Sequence, residues 1–351
     1  MRALSLLGMF ALGCHGTPHA SPDAGPDAPV EVDAAPDAPP DAGIDHLQLI
    51  YDEVDAAHIV QLVQEMSGAV PVTVAGTSIT IDERFTDVGR KNFRDYWTQY
   101  MVGLGLQVTE LPYQAQGHPR PGVDLEAVLP GASADSFVVI VHYDSIGPQG
   151  AEAGNPGADD DMSGMAIELE TARILVAHQA ELGYTIRFVA SDEEELGGLA
   201  GARAYASHIK ALSQSSGFAL VAAVDDEQSG WNCHGDQACQ DHVWPAFDIF
   251  SCGASHTQSF DYQALGDSFA SIVATYSPLH VTRDCMGQNS DHFAMWEIGV
   301  PTLVFSEHDP FGNPHFDQEG GDTFAQIDTD YLVSIARPAI TFQATLAGLK
   351  K

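Results

Sequence analysis

The sequence is short of positive charge: against 49 Asp and Glu it carries 14 Lys and Arg, a formal net charge of -35 over 351 residues. Neutralising phosphate takes Lys and Arg, so nucleic acid is excluded as a partner. Long apolar runs are also missing. Beyond the first residues nothing approaches the roughly eighteen continuous apolar residues that a membrane span needs. Cysteine is sparse, five in all, at spacings that fit no zinc-finger pattern. Apolar side chains are plentiful, 44% of the chain, enough for the core of one large domain or two modest ones.

The beginning of the chain reads differently from the rest. "MRALSLLGMFALGC" has a basic start at Arg2, an apolar run and small residues leading to Cys14, the pattern of a secretory signal. Its "ALGC" ending resembles a bacterial lipoprotein box, in which Cys14 is the lipidated first residue of the mature protein. An ordinary signal with an incidental Cys is the alternative. His15 to Asp45 is Pro, Ala and Asp, with seven acids and no Lys or Arg, and it is expected to stay an extended, self-repelling linker. The expected organisation is therefore a signal over 1–14, a linker over 15–45 and one domain over 46–351. The protein is expected to be exported and lipid-anchored in a bacterial cell envelope, or else secreted. Export permits disulfides. Cys233 and Cys239 close a short loop and form the natural first pair, which leaves Cys252 with Cys285 by elimination.

After the linker, apolar residues recur at helical spacing from Asp45 to Gly68 and again from Phe85 to Gly105, each stretch predicting a helix. "LQVTELPY" and "VDLEAVLPG" read as strands, and "SFVVIVHYDS" as a buried central one. Helix Ser163–Ala180, strand Tyr184–Ala190, helix Gly197–Leu212 and strand Ala219–Val224 follow. "VPTLVFSE" adds a strand and "DTDYLVSIARPAITFQATLAG" a closing helix. Such alternation predicts an α/β fold, a three-layer α/β/α sandwich around a mixed, mostly parallel sheet.

In such sheets ligands gather beyond the carboxyl ends of the strands. There the sequence places "HYDS", "SDEEELGG" and "DDEQSG", with "PGADDDMSG" between the first two and "QNSDHFAMW" later. Five segments thus deliver His, Asp and Glu to one edge. Imidazole and carboxylate without thiolate suit a catalytic zinc that keeps a position open for water. A pair of such ions needs about five protein ligands if one carboxylate bridges them. Three adjacent acids, Asp159, Asp160 and Asp161, repel one another, and water, a basic partner or a metal ion has to hold their cluster.

"HYDS", "PGADDDMSG", "EELGG", "VDDE" and "SDH" occur in the order and approximate spacing of metallopeptidase family 28. Over Gly122 to Gly348 the chain resembles that family of co-catalytic zinc aminopeptidases, whose relatives include glutamate carboxypeptidase and glutaminyl cyclase. The resemblance implies a zinc-dependent aminopeptidase with two zinc ions per chain, hydrolysing N-terminal peptide bonds with a metal-bridging hydroxide. It implies His142 as a ligand of one zinc, oriented by Asp144, Asp160 as the bridging carboxylate, and Asp225 as the terminal ligand beside His142. Asp226 stands where the family has an apolar residue, so the two could exchange roles. Glu195 and His292 are implied to hold the other zinc, with Glu194 as general base. The family reads Glu-Glu-x-Gly-Leu-x-Gly, and the extra Glu and Gly here leave Glu193 and Glu194 as a competing base and ligand pair. His315 falls near a segment that would stabilise the transition state. The substrate is expected to be a peptide or small protein, and the chain a monomer. Two other readings remain: a glutaminyl-cyclase-like acyltransferase with one zinc, and a non-catalytic surface-binding lipoprotein.

Overall fold

The computed structural model describes residues 45–115, 120–146, 155–196, 198–233, 242–246, 263–282, 289–315 and 321–349, of which 242–246 and 263 by backbone alone. The signal, Cys14, most of the linker, Cys239, Cys252 and Cys285 lie outside these residues.

The helix expected from Asp45 to Gly68 is two helices, α1 (His46–Glu53) and α2 (Ala56–Met66). The break has a local cause. The Asp55 carboxylate accepts hydrogen bonds from the N–H groups of Ala57 and His58 at 2.9 and 3.2 Å, a cap that contributes about 1 kcal/mol and starts a new helix. The Asp55 N–H is itself held by Glu170 at 2.8 Å, so the break is tied to the core. A short hairpin follows, β1 (Val72–Val74) and β2 (Thr77–Ile79). Next comes α3 (Asp87–Gly103), capped by Thr86.

Among the described residues the main sheet has eight strands. Its first half contains β3 (Gln107–Tyr113), β4 (Gly122–Leu129), β5 (Ser133–His142) and β6 (Tyr184–Ser191). The second contains β7 (Leu220–Asp226), β8 (His242–Ala246), β9 (His280–Val281) and β10 (Thr302–Glu307). Across the sheet the order is β3-β4-β6-β5-β7-β10-β8-β9. The middle four, β6, β5, β7 and β10, run parallel, whereas β3 on β4, β4 on β6 and β8 on β10 are antiparallel. The sheet is therefore mixed and mostly parallel. Parallel direction brings the carboxyl ends of four neighbouring strands to one edge, at His142, Ser191, Asp226 and Glu307.

Helices cover both faces. Side chains alternate along a strand, so Phe137, Val139 and Val141 join one core while Val138 and Ile140 join another. The first core packs on α1, α2, α3, α4 (Met162–Ala177), α6 (Gln263–Tyr276) and α8 (Thr329–Leu346). The second packs on α5 (Ala200–Ser216) and α7 (His292–Glu297). Nearly every residue of α4 is buried, including Glu168, which accepts from Trp97 Nε1 at 3.0 Å, and Glu170. No helix among the described residues is long and apolar enough to cross a membrane.

His178, just past α4, joins this end to α1. Its Nε2 lies 2.9 Å from Glu53 and its Nδ1 3.2 Å from Glu181. Partial burial opposes the charged ring, but the two carboxylates outweigh it and raise the His178 pKa. A raised folded pKa contributes stability that is complete below the unfolded value of about 6.5 and fades as pH climbs through the folded one. His178→Gln should therefore lower the melting temperature more at about pH 6 than at about pH 9. Melting curves of both proteins at the two values check this, and an equal difference would remove the charged form from the account.

Candidate metal centre

The site is built where β5, β6 and β7 end. His142 is the last residue of β5 and is buried. Its Nε2 stands 3.0 Å from Asp160 Oδ1 and its Nδ1 3.5 Å from Asp144 Oδ1. Asp144 also accepts the backbone N–H groups of Glu194 and Glu195, at 3.0 and 3.3 Å. One carboxylate thus ties the imidazole of β5 to the turn after β6.

The three adjacent acids separate by partner. Asp159 accepts from the Gly230 N–H at 2.7 Å, from Ser163 Oγ at 3.1 Å and from the Asn313 amide at 2.8 Å. Asp161 caps α4 through the Gly164 N–H at 3.1 Å. Asp160 alone reaches His142, and its second oxygen accepts from Gln228 Nε2 at 3.0 Å. The peptide bond between Asp160 and Asp161 is cis. Asp322 accepts the N–H of Asp159 at 2.9 Å and of Asp160 at 2.7 Å, fixing the loop from the far side.

Of the three glutamates after β6, Glu193 has a left-handed backbone with φ of 62°. Its carboxylate lies 3.6 Å from Arg90 and 4.0 Å from Arg120. Glu194 and Glu195 turn the other way, into the field of His142 and Asp160.

At the end of β7 the alternation of side chains sorts a second acidic run. Asp226 points to α8, where Gln343 Nε2 donates to both of its oxygens at 2.8 Å. Asp225 and Glu227 share the opposite face. Asp225 accepts from the His292 N–H at 2.8 Å, lies 3.1 Å from His292 Nδ1 and accepts from Ser290 Oγ at 2.9 Å. Glu227 is the acid that joins His142 and Asp160: one donor atom of each lies within 4.8 Å of the others. The geometry therefore places Asp225 with His292, and Glu227 with His142. The sequence reasoning quoted Glu227 within "VDDE" but gave the ligand role to Asp225, although period two along the strand puts the two acids on one face. His315 donates its backbone N–H to Asn313 Oδ1 at 2.9 Å and is not a member of this group.

The donors fit a divalent cation. Burial, added to mutual repulsion, raises the pKa of Asp161, Glu194 and Glu195 well above the carboxylate range, that of Glu227 to about 8 and that of Asp291 to about 7. Burial disfavours the His142 cation, yet its bonds to Asp144 and Asp160 raise its pKa. Such a set either takes up protons or holds a cation. Oxygen atoms of Asp225 and Glu195 are buried without a hydrogen-bond partner, as expected of groups whose partner is an ion. His142, Asp160 and Glu227 would hold it, with Glu195, Asp225 and His292 beside them.

Comparison with known proteins bears on family and fold. The model of peptidase family M28 matches residues 125–343. A probable leucine aminopeptidase of Arthroderma benhamiae is 28% identical over 229 residues, 63% of this chain and 56% of its own length. The chain thus spans little more than half of that relative. Among solved structures, BSAP, a zinc aminopeptidase from Bacillus subtilis, aligns over 84% of this chain and 95% of its own with a TM-score of 0.64 at 14% identity. A glutaminyl cyclase of Fimbriiglobus ruber aligns over 85% and 96% with a TM-score of 0.63 at 16% identity. At such identities the likeness is one of fold, a mixed sheet between helices. With more than half of the chain matched by the family model, the chain belongs to peptidase family M28.

Proposed function

We propose that the protein is a zinc-dependent aminopeptidase that hydrolyses the N-terminal peptide bond of peptides or small proteins. The observation that carries this reading is the meeting of His142, Asp160 and Glu227 within metal-binding distance, with Glu194 and Glu195 docked beside them on Asp144. In this reading His142, Asp160 and Glu227 would hold one zinc ion and Glu195, Asp225 and His292 a second, with Asp160 as the carboxylate that would serve both. Bound zinc supplies a water of lowered pKa and a polarised carbonyl. Glu194 takes the proton from the attacking water and returns it to the leaving amine. Its half-buried setting beside the ligands puts it within reach of both. Asp144 keeps the His142 ring in one orientation and, through the two backbone N–H groups, holds Glu194 to the same frame. The start of the chain supports export and a lipid anchor at Cys14, which would hold the domain in the bacterial envelope as a monomer.

Chelation should abolish release of aminoacyl-anilides, and zinc should restore it, with two ions per chain at full activity. One zinc, with ammonia released from glutaminyl peptides in place of anilide hydrolysis, would transfer the protein to the cyclase reading. Glu194→Gln should keep its zinc and lose about 10²- to 10⁴-fold in kcat; retained turnover would put the base elsewhere.

Double-mutant cycles on zinc affinity separate the ligand pairs. Glu227→Gln should couple to His142→Ala, and Asp225→Asn to His292→Ala, each by about 1 kcal/mol or more. Coupling of Asp225 to His142 in place of Glu227 would return Asp225 to the first ion.

A further inference from the structure

Arg84 lies upstream of the residues that the family model matches, 125–343, in the bend before α3, and it is fully buried. A buried guanidinium is costly unless its donors are met. Here they are met by main-chain carbonyls of the two loops that carry the metal-binding cluster. Nε donates to the Tyr143 carbonyl at 2.6 Å, directly after His142. Nη2 donates to the Gly157 carbonyl at 3.0 Å, and Nη1 to that of Pro156, three and four residues before Asp160. Nη1 also donates to the carbonyl of Met66, the last residue of α2, at 3.2 Å. The Arg84 N–H donates to Ser145 Oγ at 3.0 Å, and that hydroxyl donates to the Asn155 carbonyl at 3.0 Å.

Gly157 shows how close this approach is. Its φ is +55°, and a Cβ there would lie 2.3 Å from Arg84 Nη2 and 2.4 Å from the Asp160 carbonyl oxygen. Only glycine allows the guanidinium, the loop and Asp160 to come together. The planar fork also has a fixed span. Lys would bring the charge without the two-sided geometry.

We propose that Arg84 is a positioning residue for the metal centre: it clamps the loop after β5 to the acidic loop, and so sets the separation of His142 from Asp160. The residues before the family match are then part of the site's framework. This rests on the reading above that His142 and Asp160 hold zinc.

The test uses the full chain with its metal. Zinc affinity is measured by competition with a chromophoric chelator for the wild type, Arg84→Lys and Ser145→Ala, beside melting temperature and kcat and KM on an aminoacyl-anilide. Arg84→Lys should weaken zinc at least about tenfold, the size seen when a ligand's orienting partner is lost, and lower kcat more than KM. Ser145→Ala removes one tie, leaves the guanidinium in place and should give a smaller loss of the same kind. A fall in melting temperature with zinc affinity and kcat within twofold of wild type would reduce Arg84 to a support of the fold. If Arg84→Lys does not fold, unchanged affinity in Ser145→Ala overturns the proposal alone. A wild type that binds no zinc defeats the proposed function itself, before any variant is compared.

Discussion

Everything at the carboxyl edge of the sheet is arranged around buried negative charge. Asp144, Asp159, Asp160, Asp161, Asp225, Glu227, Asp291, Glu307 and Asp322 are all buried there, and an isolated buried carboxylate costs several kcal/mol. The fold meets this cost in three ways. Backbone amides serve Asp159, Asp161, Asp322 and Asp144. Arginines serve the outer layer, with Arg90 binding both oxygens of Asp192 at 2.7 and 2.8 Å. Asp160 has neither an amide nor an arginine, meeting only His142 Nε2 and the Gln228 side chain, and for it and the acids around it a divalent ion is the natural counter-charge.

The same constraint explains why a parallel sheet suits the site. In β5, β6, β7 and β10 the apolar interior gives way to polar residues at one edge, so each strand carries its acid or imidazole out of the core at the same height. Period two then sorts them. Asp225 and Glu227 face the cluster while Asp226 turns to Gln343 of α8, where an amide meets it. One face of β7 supplies donor atoms and the other locks the strand to a helix.

Most of the fold was legible in the sequence because its elements are long and their periods distinct. The run at β5, the helical pattern of α4 and the alternation of strands with helices led to the observed three-layer sandwich. The single helix expected from Asp45 to Gly68 was not found, because one Asp capping two amides outweighed an unbroken helical pattern. Strand β8 (His242–Ala246) was not expected; its partners, β10 and β9, are distant in sequence, which local pattern does not reveal. At the site, the motifs named His142, Asp160 and the glutamates of one turn, and "VDDE" contained Glu227. The role went to Asp225, because a motif does not say which of three successive acids faces the cluster. Pattern matching could not see Arg84 or Asp322 at all, since their roles consist of hydrogen bonds to main-chain atoms that leave no spacing in the sequence.

The bookkeeping of charge shows how these residues depend on one another. In the proposed arrangement Asp160, Glu195, Asp225 and Glu227 carry four negative charges, and two divalent ions balance them. Asp144 stands outside that balance, compensated by His142 and by two amides. It can therefore hold the imidazole without competing for an ion. Glu194 is also outside it, with its N–H fixed on Asp144 and its carboxylate set among His142, Glu227 and Asp160. A proton acceptor needs this combination: a fixed place beside the ions and a charge they do not consume. Arg84 completes the scheme from below, because its cation lies among Asp322, Asp144, Asp160 and Glu195 yet spends its hydrogen bonds on carbonyls. It lowers the repulsion within the cluster without occupying any oxygen that a metal would use.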